Sequence, residues 1–159
     1  MSSEEWLTAC EEAYPGVYRS LVAMGARQAD AADALQDAFE RALKQRVPVQ
    51  RPDAWLFVVA LRRWRTARWR NRIYVTLGDR SIGQVAPPGE DAVTLIAELD
   101  RLPDRERQVI VARYVLGLSQ LETAQALGIA TGTVAATTAH ATHKLRERLS
   151  EKDRYRPRR

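Results

Sequence analysis

An all-α chain of two small helical modules is what this sequence predicts, and three observations carry the prediction. Apolar residues recur at helical spacing through most of the 159 residues. Two Ser-x-x-Glu boxes, Ser2 with Glu5 and Ser119 with Glu122, mark helix starts, since hydroxyl and carboxylate satisfy amides that lack a partner inside the helix. From Ile73 to Asp91 the periodicity stops, and Gly78, Gly83, Pro87, Pro88 and Gly89 read as a linker. The expected layout is therefore a three-to-four-helix bundle at 1–72, a flexible linker at 73–92, a helix-turn-helix module at 93–150 and a basic tail at 151–159.

In the first segment Trp6, Cys10, Tyr14, Val17, Leu21 and Met24 keep a helical period. Pro15-Gly16 should kink or restart that helix, because proline lacks an amide and clashes with the preceding turn. A second helix is expected at about Ala29–Gln45. Its inward face is Ala31, Leu35, Ala38, Phe39 and Ala42, and its outer side is acidic, with Asp30, Asp33, Gln36, Asp37 and Glu40. That side reads either as a solvated face or as a docking surface for a basic partner. Pro52 suits the first position of a third helix, Asp53–Arg72.

The third helix changes character halfway. Ala54 to Leu61 is apolar almost all round and must be buried, whereas Arg62 to Arg72 holds six arginines and two tryptophans in eleven residues. Arginine grips phosphate in a fork and stacks on bases, and aromatic rings add stacking surface. Trp64 continues the Phe57–Leu61 face and reads as core, while Trp69 is open to either role. Nucleic acid is favoured over a membrane surface, since there is no wide lipid-facing stripe beyond the buried half. The nineteen linker residues could reach at most about 60–65 Å, a span that suits two modules binding separated sites.

In the second module Val93, Ile96 and Leu99 form a short helix. Pro103, Asp104 and Glu106 start another, with Val109, Ile110, Val111 and Tyr114 inward. A helix from the Ser119 box packs Ala124 and Leu127 and closes at Gly128. The next begins at Thr131-Gly132-Thr133 and buries Val134, Thr138, Ala141, Leu145 and Leu149. This pair has the form of a helix-turn-helix, whose second helix enters the DNA major groove. Yet no Lys or Arg lies between Arg113 and Lys144, so the first turns of the reading helix are uncharged. DNA affinity comes largely from neutralised phosphates.

Composition sets the bounds. Apolar residues make up 45% of the chain, and no run approaches the roughly 20 apolar residues of a spanning helix. The N-terminus lacks the pattern of a signal peptide. One cysteine, Cys10, allows no internal disulfide, which fits a reducing cytoplasm. The net charge of +5 is segregated: residues 1–50 carry −3, 51–80 carry +6, 81–130 carry −3 and 131–159 carry +5. Two basic segments imply two contacts with a polyanion. His140 and His143, without cysteine or acidic companions, read as surface histidines; neither metal nor cofactor is expected.

Several words in order resemble the sigma factors of bacterial RNA polymerase, in the compact extracytoplasmic-function class that keeps only regions 2 and 4. They are Tyr14-Pro15 with Tyr18-Arg19, Asp33 to Phe39, Ala54-Trp55-Leu56-Phe57, Leu102-Pro103 to Arg107, Arg113-Tyr114, Gly117-Leu118-Ser119, Ala126 to Ile129 and Gly132-Thr133-Val134. The resemblance covers about residues 10–149. It implies a bacterial, cytoplasmic, non-enzymatic protein that directs core polymerase to promoters and helps to open them. Leu35, Gln36, Asp37, Phe39 and Glu40 would dock on the coiled coil of the β′ clamp. Arg62, Arg63, Arg65, Arg68, Trp69 and Arg72 would hold the −10 element around a bend in the middle of the third helix. Thr131, Thr133, Ala135, Ala136, Thr137, His140 and Lys144 would meet the −35 element, with the module seated on the β flap. An anti-sigma factor is a further implied partner.

The chain departs from that pattern. Arg62 stands where the class commonly has asparagine. Ala135, Ala136, Thr137, His140, Thr142 and His143 replace several basic residues, and Thr123 replaces a core aliphatic. What remains for the −35 element is a helix start that can hold phosphate, hydroxyls, and small side chains that can touch thymine methyls. Two other functions are compatible with the sequence: a degenerate sigma-like protein that binds polymerase or a regulator without reading promoters, and a plain helix-turn-helix regulator.

Overall fold

A computed structural model describes residues 2–45, 51–72 and 90–154, and among these every regular element is helical. Two compact units, Met1–Gly83 and Gln84–Arg159, divide the chain. Most of the expected linker, residues 73–89, lies outside the described residues, as do Pro48 and the end of the basic tail.

Unit 1 holds α1 (Ser3–Ala23), α2 (Gln28–Gln45) and α3 (Pro52–Arg72). The Ser2 box forms as expected: Ser2 Oγ accepts from the Glu5 amide at 3.1 Å, and Glu5 accepts from the Ser2 amide at 2.6 Å. Pro15 does not restart the helix; α1 runs through it from Ser3 to Ala23. The amide that proline removes would have served the carbonyl of Glu11, which is exposed and open to water. Trp6, Cys10, Val17, Leu21 and Met24 are buried along α1, with Ala31, Leu35, Ala38 and Ala42 facing them from α2. Helix α3 packs against both α1 and α2. It buries Leu56, Phe57, Val59, Ala60, Leu61 and Trp64, so its apolar half is the core of the unit. Trp6 meets Trp55 edge to face, with 6.2 Å between centroids. Cys10 is wholly enclosed, and burial pushes its thiol up to about 11.

Unit 2 holds α4 (Glu90–Asp100), α5 (Asp104–Ile110), α6 (Gln120–Leu127) and α7 (Thr131–Arg154). Val109, Ala124 and Val134 form a core cluster, covered by Leu127 and Ile129. The Ser119 box forms, with Ser119 Oγ accepting from the Glu122 amide at 3.1 Å. Gly128 closes α6 at φ 66°, the left-handed conformation that a side chain resists. Tyr114, expected inward, is 63% exposed. A π turn over Val111–Val115 explains the difference. The Leu116 amide reaches back five residues to the Val111 carbonyl at 3.0 Å, and this wider turn carries residue 114 off the α-helical face.

The expected tail also differs, because α7 continues through Arg154. Glu98, fully buried on α4, lies 2.7 Å from Lys152 Nζ, 3.5 Å from Arg101 and 3.8 Å from Arg148. The Lys152 hydrogen bond holds the Glu98 carboxyl below its ordinary range, against burial, which raises it. Arg107 is likewise buried and donates to the carbonyls of Asp100 at 2.7 Å and Leu102 at 3.2 Å, which fixes the corner between α4 and α5.

These buried polar groups can be tested by substitution. Thr123 Oγ1 is buried and has no hydrogen-bond partner among the described residues. Thr123→Val keeps the shape and removes the unmet group, so it should raise stability by about 1 kcal/mol, read as a higher Tm. Glu98→Gln should cost roughly 1.5–3 kcal/mol at neutral pH. Because the folded carboxyl sits below the ordinary glutamate value of about 4.3, the stabilisation is complete above that value. It disappears as pH falls through the folded value, so acid titrations of the two proteins should converge.

Candidate nucleic-acid interface

In unit 1 the burial of one half of α3 dictates where the other half goes. With Leu56 to Leu61 locked into the core, the helix emerges carrying Arg62, Arg63, Arg65, Arg68 and Trp69, all exposed. Trp64 is only 6% exposed and Trp69 is 68% exposed, so the two tryptophans divide between core and surface. The Arg68 guanidinium stands 5.5 Å above the Trp64 ring, which holds one cation in place by its face. Helix α3 is continuous from Pro52 to Arg72. The side chain of Arg72 lies outside the described residues.

The acidic side of α2 adjoins this basic half. Arg63 Nε is 4.0 Å from Asp37 Oδ2, and both side chains are half exposed, so the pair marks the boundary and contributes at most about 1 kcal/mol. Gln36, Asp37 and Glu40 are exposed and Phe39 is half-buried. The expectation for Leu35 is corrected: it is fully buried, at the spacing that places it among the inward alanines, and cannot itself touch a partner. Phe39 instead continues into an aromatic row, stacked on Tyr14 at 5.9 Å, with Tyr14 stacked on Tyr18 at 6.2 Å.

In unit 2 the corner between α6 and α7 is held by Gln120, whose Nε2 donates to the Thr131 carbonyl at 3.0 Å. Thr131, Thr133, Ala135, Ala136 and His140 are exposed on α7, and Thr137 is half-buried. Thr138 and Thr142 turn their hydroxyls back onto the carbonyls of Val134 and Thr138, at 2.7 and 2.6 Å. Lys144 does not extend freely toward this face. Its Nζ lies 3.0 and 3.1 Å from the two carboxylate oxygens of Glu106 on α5. The expectation that the histidines lack acidic companions is also corrected. His140 Nε2 is 3.7 Å from Glu106, and His143 Nε2 is 3.2 Å from Glu147. Among the described residues no group of three or more His, Cys, Asp or Glu could hold a metal ion. A groove runs between the π turn and α7, with Arg113, Tyr114, His143 and Arg146 on its sides. The pairing of Glu106 with Lys144 joins residues 38 apart, so no local spacing announces it.

Residues 99–147 match the family model described as Sigma-70, region 4. An RNA polymerase sigma-E factor of Streptomyces avermitilis is 33% identical over 90 residues, which cover 57% of this chain and 50% of that protein. The match thus spans half the length of that curated relative. Two solved structures share the fold. The sigma factor RpoE of Bartonella quintana, solved in complex with the anti-sigma factor NepR, aligns with a TM-score of 0.77 at 20% identity, covering 92% of this chain and 98% of that one. CnrH, solved with the cytosolic domain of CnrY, aligns at 0.70 and 22% identity, covering 94% and 90%.

The helix-turn-helix of unit 2 lies within the stretch that is similar to sigma-70 region 4. The two-unit helical fold of the chain is thus that of solved sigma factors, and its second unit carries the similarity to the sigma-70 region 4 model. No described helix is long and apolar enough to cross a membrane.

The two tryptophans provide a direct check on the division of α3. Trp64→Ala should lower stability by roughly 3–5 kcal/mol, whereas Trp69→Ala should leave it within about 0.5 kcal/mol. Thermal unfolding of the two variants measures the contrast.

Proposed function

We propose that this protein is an alternative sigma factor that binds core RNA polymerase and directs promoter recognition and opening. It works in the cytoplasm and performs no catalysis of its own. The observation that carries the reading is the split of α3 into a buried apolar half and an exposed half bearing Arg62, Arg63, Arg65, Arg68 and Trp69. Separated DNA strands present phosphates and unstacked bases together. Arginine forks meet the phosphates, and an exposed indole can stack on a base for about 1–3 kcal/mol.

The acidic α2 surface, with Gln36, Asp37, Glu40 and the edge of Phe39, is the proposed seat for the β′ clamp coiled coil. Its position beside the arginine face would place bound polymerase next to the −10 strand. Region 4 is proposed to sit on the β flap and to meet the −35 element through Thr131, Thr133, Ala135, Ala136, Thr137 and His140. An uncharged reading helix makes that second contact weak in phosphate terms and dependent on close apolar approach. RpoE of Bartonella quintana was solved together with an anti-sigma factor, and a regulator of the same class is the expected antagonist of this chain.

Core polymerase mixed with the full chain should be retained with it and should transcribe from members of a random promoter library. Failure of both would overturn the reading. Arg65→Ala and Arg68→Ala should each reduce the salt slope of promoter opening by about 0.7, the single-strand value per phosphate contact. An unchanged slope would remove these arginines from the DNA.

A further inference from the structure

The uncharged start of α7 leaves open where region 4 would find its phosphate contacts. Lys144 is the first cation of the helix, and its place in the sequence suggests that role. In the fold its ammonium is engaged by both oxygens of Glu106, whose side chain is only 14% exposed. His140 approaches the same carboxylate. The charge of Lys144 is therefore largely cancelled before any DNA arrives.

The groove between the π turn and α7 has the opposite character. No acidic side chain lines it. Arg113 stands on one side, anchored by donation from Nη1 to the Leu118 carbonyl at 2.7 Å, which fixes the guanidinium without neutralising it. Arg146 stands on the other side, exposed and without an ion pair or hydrogen bond among the described residues. His143 lies beside Arg146 and contacts Glu147, the nearest acidic group on α7. Ala135 and Ala139 line the same groove with small side chains. Tyr114, turned outward by the π turn, adds a phenol at the rim.

We propose that region 4 takes hold of duplex DNA by its phosphates in this groove, through Arg146 and Arg113, and that Glu106 withholds Lys144 from the contact. The assignment rests on the reading of unit 2 as a DNA-binding domain. Glu106 is then a positioning residue that sets the charge presented by the reading helix.

The test measures binding of the full chain to a random-sequence DNA duplex by fluorescence anisotropy across a salt series. Arg146→Gln should reduce the slope of log K against log salt by about 0.9, while Lys144→Gln should leave the slope unchanged. Glu106→Gln should increase it by as much as about 0.9, as Lys144 is released. Circular dichroism confirms that each variant is folded, and Arg113 is left intact because its hydrogen bond supports the turn. A slope that falls with Lys144→Gln and not with Arg146→Gln overturns the proposal. A slope that responds only to Arg65→Gln and Arg68→Gln confines DNA to unit 1; it overturns the groove assignment, as an acidic protein in the groove would, and leaves the sigma-factor reading standing. Absence of salt-dependent binding in every protein, the parent included, overturns the groove assignment, whereas the sigma-factor reading falls only if the polymerase pull-down and transcription also fail.

Discussion

Burial of Leu56, Phe57, Val59, Ala60 and Leu61 between α1 and α2 is the constraint on which unit 1 depends. A helix is stiff over twenty residues, so fixing one half in a core determines the course of the other. Each of these side chains gives roughly 1.5–3 kcal/mol on burial, except the smaller alanine, and together they far exceed any attraction among surface charges. The arginines are consequently held in one array by forces that have nothing to do with their charge. Their mutual repulsion is tolerated because Asp37 borders the array and Trp64 offers its ring to Arg68.

Unit 2 solves a different problem, that of holding short helices together. Helix α5 has only seven residues and α6 only eight, lengths at which an isolated helix is not stable in water. Polar staples supplement the small apolar cluster. Glu98 gathers Arg101 from the α4–α5 corner and Arg148 and Lys152 from α7, Arg107 caps the carbonyls at the α4–α5 corner, Glu106 binds Lys144 across α5 and α7, and Gln120 bridges the turn. On sequence grounds several of these groups pass for surface charges available to a partner. Their commitment inside the fold leaves fewer, and more definite, positions for the proposed DNA contact.

The parts of the fold that are legible in the sequence are those set by local chemistry. Ser2 with Glu5 and Ser119 with Glu122 locate two helix starts, Gly128 an end, and the spacing of apolar residues the inward faces of α2 and α7. Trp64 belongs to the core because it continues the Phe57–Leu61 face. What escapes is set by distant or unusual geometry. Nothing in the local pattern reveals that a π turn expels Tyr114, or that Glu98 reaches Lys152 as α7 extends. Pro15 is a weaker breaker than its chemistry suggests, because an exposed carbonyl can turn to water. In the candidate site, the arginine array is evident from composition alone. The buried state of Leu35 follows from its own periodicity but conflicts with the role that family resemblance gives it. The capture of Lys144 by Glu106 emerges only from the tertiary structure.

The enclosed thiol of Cys10 has a practical consequence. Its sulfur is both inaccessible and poorly ionised near neutrality, and only the thiolate attacks electrophiles. The chain contains no other cysteine, so the folded molecule is already a silent background for maleimide chemistry. A single cysteine introduced on either unit could carry a fluorophore or spin label without first removing the native one.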